Sequence, residues 1–82
     1  MTRDEIKEAV LRALSDVAPE ADPATLRLDV DLRDQLDIDS MDFLNFVIGI
    51  HEQVRVEIPE SDYPRLQTLD QLVDYVVEKA AA

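Results

Sequence analysis

Ser40 is the residue whose setting best suits chemistry in this sequence. It stands in the run Leu36, Asp37, Ile38, Asp39, Ser40, Met41, Asp42. A nucleophilic serine needs an adjacent base. The sole histidine, His51, lies eleven residues further along the same helical stretch, roughly 16 Å along a helix axis. His51 therefore cannot activate Ser40 within one molecule. No catalytic residue is assigned, and the chain reads as a non-enzyme. A serine that another enzyme modifies suits the context better. A helix N-terminus receives a phosphate through free N–H groups and the positive end of the dipole. Asp39 and Asp42 would oppose that anion unless a divalent cation bridges them, since hard cations favour carboxylate and phosphate oxygens. From helix grammar alone, a Ser40 that merely decorates a first turn stands as an equal alternative.

The other candidate groups carry less. Asp29, Asp31, Asp34, Asp37 and Asp39 invite a calcium reading. An EF-hand loop needs Gly at its sixth position and Glu at its twelfth. Counted from Asp29, those positions hold Asp34 and Ser40, so the pattern fails. With no cysteine and one histidine, thiolate and multi-histidine metal sites are excluded, and no metal ligand is assigned. His51 falls within the apolar arc of its helix and reads as a packing or partly exposed residue. Tyr63 and Tyr75 read as core-edge residues. Arg3, Lys7 and Arg12 read as a solvated face.

Charge narrows the partners. Eight Lys and Arg stand against 19 Asp and Glu in 82 residues, a net charge of −11. Nucleic-acid binding is excluded, because affinity for phosphate backbones comes from clustered Lys and Arg. An anionic membrane surface is disfavoured for the same reason. No apolar run approaches the ~20 residues of a membrane helix, and Thr2, Arg3, Asp4 and Glu5 after Met1 make no secretion signal. The expectation is a soluble, cytoplasmic, monomeric protein of one domain over 1–82, with positively charged partners.

Three amphipathic helices must position these groups. Thr2 and Glu5 form a capping box, followed by a stripe of Ile6, Ala9, Val10, Ala13, Leu14 and Val17. Pro19 stops that helix. Residues 19–38 read as a long loop pinned to the core by Leu26, Leu28, Val30, Leu32, Leu36 and Ile38. Within it, Asp22 and Pro23 could start one helical turn. The next helix runs from Asp39 as N-cap, with Asp42 as capping partner, to about Val54. Thr68 and Gln71 cap the last helix, whose stripe is Leu69, Leu72, Val73, Val76 and Val77. A short helix near Ser61 to Pro64 lies between, with Pro64 tolerable only in its first turn. Ala80, Ala81 and Ala82 are expected to fray. The fold class is therefore all-α: a small four-helix bundle of three main helices and one short one, with a long loop between helices 1 and 2.

The helix after Asp39 holds more apolar surface than a core needs. At 100° per residue, Phe43, Phe46, Val47, Ile50 and Val54 fill one arc. Met41, Leu44 and Ile48 extend it on the side next to Ser40. Such surplus has to be covered by a ligand or a partner.

At these residues the sequence resembles the acyl carrier proteins. Asp39, Ser40 and Met41 are similar to that family's Asp-Ser-Leu motif, with Met in place of Leu. The likeness extends to the first helix, the long loop, the second helix, Ile58 and Pro59, and the closing Thr68 and Leu69 with Asp74, Tyr75 and Val76. The resemblance implies that Ser40 carries 4′-phosphopantetheine, attached by a phosphopantetheinyl transferase from coenzyme A with magnesium. It implies that Asp39 helps position the serine and the metal in the transferase complex. The arm's thiol would hold acyl or aminoacyl groups as thioesters. Met41, Leu44, Asn45, Ile48 and Glu52 would dock on basic patches of acyl-loading and acyl-transferring enzymes.

The sequence also departs from the family. Asp37 stands where the family often has Gly. Asn45 and His51 replace residues that are commonly acidic, and Phe43 and Phe46 are bulkier than usual. These changes point from housekeeping fatty-acid synthesis toward a dedicated polyketide, aminoacyl or specialised lipid pathway, served by a stand-alone carrier. The rival function is an acidic helical adaptor that binds a protein through the Met41–Ile48 ridge without a prosthetic group.

Overall fold

Capping residues and apolar spacing account for where the three long helices of the computed structural model begin and which face they bury. Residues 1–81 are described. Helix α1 spans Arg3–Val17. Thr2 Oγ1 accepts the Glu5 N–H at 3.2 Å, and Glu5 Oε1 accepts the Thr2 N–H at 2.8 Å. That backbone hydrogen bond stabilises the ionised carboxylate and lowers the Glu5 pKa. The helix ends one residue short of Ala18, ahead of Pro19. Ile6, Ala9, Val10, Ala13 and Leu14 are buried, as their spacing requires.

The long loop is more structured than its sequence suggests. Asp22 Oδ1 accepts the Ala24 N–H at 2.9 Å, and the Asp22 carbonyl accepts the Thr25 and Leu26 N–H groups, so the expected single turn forms. A short helix, α2, follows at Leu32–Gln35 with Asp31 as its cap. Leu32 is fully buried and Ile38 nearly so, whereas Leu28 is exposed and does not pin the loop. Backbone bonds replace its anchorage. The Leu32 N–H donates to the Gln67 carbonyl at 2.8 Å, and the Asp70 N–H donates to the Leu28 carbonyl at 3.1 Å. The Gln35 amide adds a clamp, donating to the carbonyls of Arg27 and Val30 and accepting the Arg27 N–H.

Helix α3 covers Ser40–Val54. It ends on Arg55 at φ 57°, ψ 36°, the left-handed conformation common just past a helix. A 3₁₀ helix at Glu60–Arg65 leads to α4 at Leu69–Ala81. Pro64 is its fifth residue, beyond the first turn expected for it. Hydrogen bonds from Asp62 N–H to the Pro59 carbonyl and from Leu66 N–H to the Tyr63 carbonyl close the turns without a donor at Pro64. Thr68 and Gln71 form the expected capping box before α4. That helix continues through Ala80 to Ala81; the expected fraying of Ala82 lies outside the described residues.

α1 packs on both α3 and α4, and the 3₁₀ helix packs on α4. Phe46, Ile50, Leu66, Leu69 and Leu72 fill the centre with Ile6, Leu14 and Leu32. No polar or charged residue is buried among the described residues. Gly49 sits where α3 meets α1: a Cβ there would stand 3.3 Å from Ala13 Cβ.

Three further side chains make contacts that the sequence does not indicate. Tyr75 is buried rather than at the core edge, and its hydroxyl donates to Asp62 Oδ2 at 2.6 Å. Burial first, and then that hydrogen bond, push its pKa up to about 12. Arg3 pairs with Asp74 on α4 at 2.6 Å, and Arg12 Nε donates to Gln53 Oε1 on α3 at 3.2 Å. Arg3 and Arg12 stay exposed, as expected of a solvated face, and at the same time link helices.

Candidate functional site

Ser40 is the first residue of α3, and its side chain is exposed. Asp39 is the N-cap. Its Oδ1 accepts the Asp42 N–H at 2.9 Å, and Asp42 Oδ2 accepts the Asp39 N–H at 3.4 Å. This reciprocal cap sets the entry of the chain into the helix, so the Ser40 hydroxyl leaves the first turn in a defined direction. The first N–H groups of a helix have no intrahelical acceptor, and they add the positive end of the dipole beside Ser40.

The turn before the motif closes despite Asp37 at the glycine-like position. The Ile38 N–H donates to the Leu36 carbonyl at 3.0 Å, a γ-turn centred on Asp37. Among the described residues Arg55 alone takes a positive φ, so Asp37 adopts the inverse form open to any residue.

Ser40 stands at the edge of a groove of about 480 Å³ between α3 and the 3₁₀ helix. Its apolar walls are Met41, Phe43, Leu44, Tyr63 and Pro64. Phe43, on the core-facing arc by its spacing, is partly buried against the core. Its ring meets Phe46 edge-on at 6.1 Å and Tyr63 at 5.9 Å, which makes it the floor between core and groove. Asp31, Arg33, Glu60 and Gln67 supply the polar rim. Arg33 reaches furthest, with Nη2 3.5 Å from Ser40 Oγ.

Of the sequence-derived candidates, Ser40, Met41 and Leu44 share this groove; Asp39, Asn45, Ile48 and Glu52 do not line it. Met41, Leu44 and Ile48 are 65%, 39% and 45% exposed, while Phe46, Val47 and Ile50 on the opposite arc are buried. Asn45 and Glu52 are also exposed. Their spacing of three and four residues puts Met41, Asn45, Ile48 and Glu52 on one face. His51 is exposed, and its Nδ1–H donates to the Val56 carbonyl at 2.8 Å, bracing the chain after α3. It has no contact with Ser40.

The acidic residues are spread among local tasks. Asp22, Asp31, Asp39 and Asp42 each accept a backbone N–H at a turn or helix start. Among the described residues no three Asp, Glu or His side chains converge as a metal cage. No described helix is long and apolar enough to cross a membrane.

Arg33, Tyr63 and Pro64 had no place in the sequence reading of the site. One signal pointed to Arg33: it is the only Lys or Arg between Arg27 and Arg55.

The chain is similar to known proteins in sequence and in fold. The model of the family described as "Phosphopantetheine attachment site" matches residues 8–76. The chain is 33% identical over 73 residues to the acyl carrier protein of Campylobacter fetus subsp. fetus, covering 89% of this chain and 88% of that one. It is 28% identical to the acyl carrier protein of Rubrobacter xylanophilus over the full length of both. The solved structure of the acyl carrier protein from Enterococcus faecalis superposes with a TM-score of 0.81 at 25% identity, covering 96% of this chain and 99% of that one.

Proposed function

The chain belongs to the acyl carrier protein family, and from that premise we propose that Ser40 is the residue that bears its phosphopantetheine arm. Members of this family are carriers and not catalysts, and the chain has the phosphopantetheine attachment domain. The observation that carries the assignment is the placement of Ser40. Its hydroxyl is exposed at the first residue of a capped helix, at the edge of an apolar groove. Ser15 lies within α1 and Ser61 within the 3₁₀ helix, and neither has such a flank.

The fit to the arm is good on three counts. The hydroxyl is open to a transferase. The groove beside it offers apolar walls of matching polarity for a chain held on the arm. A cation stands at the point where a phosphodiester would join the protein. When bound, the arm supplies a terminal thiol that holds an acyl group as a thioester, chemistry a chain without cysteine cannot supply itself. In attachment, Ser40 Oγ gains its bond to phosphorus and gives its proton to the transferase, and adenosine 3′,5′-bisphosphate leaves from coenzyme A. Asp39 holds the first turn while this occurs and is available to the transferase's magnesium.

Met41, Leu44 and Ile48 supply the apolar contact to partner enzymes, with Asn45 and Glu52 beside them. Glu52 meets basic groups of the partner and acts on encounter rate more than on final affinity. These partners are the transferase and the enzymes that load and remove acyl groups. The face carries an amide at Asn45 and an imidazole at His51, which supports a dedicated polyketide, aminoacyl or specialised lipid pathway over fatty-acid synthesis. Nothing specific favours an adaptor without a prosthetic group. Intact mass after co-expression with a broad-specificity transferase tests the proposal. The protein should gain one phosphopantetheine and Ser40→Ala none; an unmodified wild type, or a modified Ser40→Ala, overturns it.

A further inference from the structure

We infer that Arg33 is a positioning residue for the prosthetic arm, pairing with the phosphodiester that joins it to Ser40. This rests on the assignment of the arm to Ser40. Arg33 Nη2 lies 3.5 Å from Ser40 Oγ, the atom that would be bonded to phosphorus. The ion pairs among the described residues are Arg3 with Asp74 and Arg65 with Glu78, so the Arg33 guanidinium is not committed to a carboxylate. That is unexpected in a stretch where Asp31, Asp34, Asp37, Asp39 and Asp42 surround it in sequence.

Arg33 is also held in place from both sides. Leu32 before it is fully buried, and its N–H is bonded to the Gln67 carbonyl. Gln35 after it is clamped to Arg27 and Val30. The backbone under Arg33 is thereby tied to the segment before α4 and to the loop before α2, and its side-chain rotation remains to be ordered. A guanidinium presents a planar fork that matches two phosphate oxygens, which an ammonium does not. Adding an anion to a site rich in carboxylates is repulsive, and Arg33 offsets that repulsion where it is strongest. It would also turn the first atoms of the arm toward α2.

The test compares wild type, Arg33→Gln and Arg33→Lys, each melted before and after complete loading by excess transferase, with intact mass as the check on loading. Subtracting the unloaded from the loaded melting temperature cancels any role of Arg33 in the fold itself. At low ionic strength the wild-type difference should exceed that of Arg33→Gln by about 2–4 °C, the size of one exposed charge pair in a domain this small. Arg33→Lys should fall between. The gap should close in 1 M salt, where charges are screened within about 3 Å. Equal differences in wild type and Arg33→Gln at low salt, or a gap that survives high salt, overturn the pairing while leaving Ser40 loaded. A wild type that gains no mass overturns the Ser40 assignment, and the pairing with it.

Discussion

Ile48 and Ile50 are two residues apart on α3 and should respond oppositely to the same change. Ile50 is fully buried, whereas Ile48 is 45% exposed. Ile50→Glu removes about 1.5–3 kcal/mol of apolar burial. It also places a carboxylate among apolar side chains at an effective cost of several kcal/mol more. At roughly 0.05–0.15 kcal/mol per residue, a protein of 82 residues has about 4–12 kcal/mol in total. Ile50→Glu should therefore lower the melting temperature by more than about 20 °C or abolish the transition. Ile48→Glu should stay within about 0.5 kcal/mol of wild type, a few degrees at most. Its effect belongs to docking. About half of the side chain remains to be covered by a partner, worth about 1 kcal/mol, and the polar replacement adds desolvation. Loading by the transferase should fall about 5- to 30-fold in kcat/KM. Ile48→Gln should lose as much, which separates lost apolar contact from added charge. The assay is circular dichroism melting beside transferase kinetics on the same preparations. If Ile48→Glu unfolds while Ile50→Glu folds, the docking face is misplaced. If both Ile48 variants fold and load at the wild-type rate, the ridge is not the docking surface.

Gly49→Ala gains about 0.5–1 kcal/mol of helix propensity but brings its Cβ to 3.3 Å from Ala13 Cβ; the melting temperature should move by only a few degrees, whereas Gly49→Val, which has no room to give, should lose about 1–3 kcal/mol. Tyr75 is held protonated in the fold to about pH 12, above its ordinary value of 10.0. A raised folded pKa stabilises fully below the unfolded pKa and is lost as pH rises through the folded one. Denaturant midpoints should accordingly fall between pH 10 and 12, and Tyr75→Phe should remove that component; an unchanged slope in the variant would show that other groups cause it.

The helices were legible because local signals specify them. Three capping boxes, at Thr2, Asp39 and Thr68, mark three starts, and the three- and four-residue spacing of apolar side chains marks the buried faces. The exposure of Met41, Leu44 and Ile48 followed from the same arithmetic, since a helix with too much apolar arc must leave part of it uncovered. What stayed hidden depends on long-range partners. α2 is a single turn, too short for periodicity to register, and it is held by the Gln67 carbonyl, 35 positions from Leu32. Leu28 looks like an anchor in sequence, but its carbonyl does the anchoring and its side chain faces solvent. Arg33 and Tyr63 reach the site through long-range contacts, the Leu32 bond to the Gln67 carbonyl and the Tyr63 ring against Phe43, which no local pattern encodes. Arg55 gave no sign of its left-handed turn, because the residue usually found there is glycine.

The attachment of the arm to Ser40 is the claim from which the rest proceeds. Fragment-ion mass spectrometry of the protein loaded from coenzyme A by a phosphopantetheinyl transferase tests it most directly. All of the added mass should sit on the peptide containing Asp39, Ser40 and Met41, with Ser15 and Ser61 unmodified. Added mass on any other residue, or a protein that stays unmodified under conditions that load a known carrier, would contradict it.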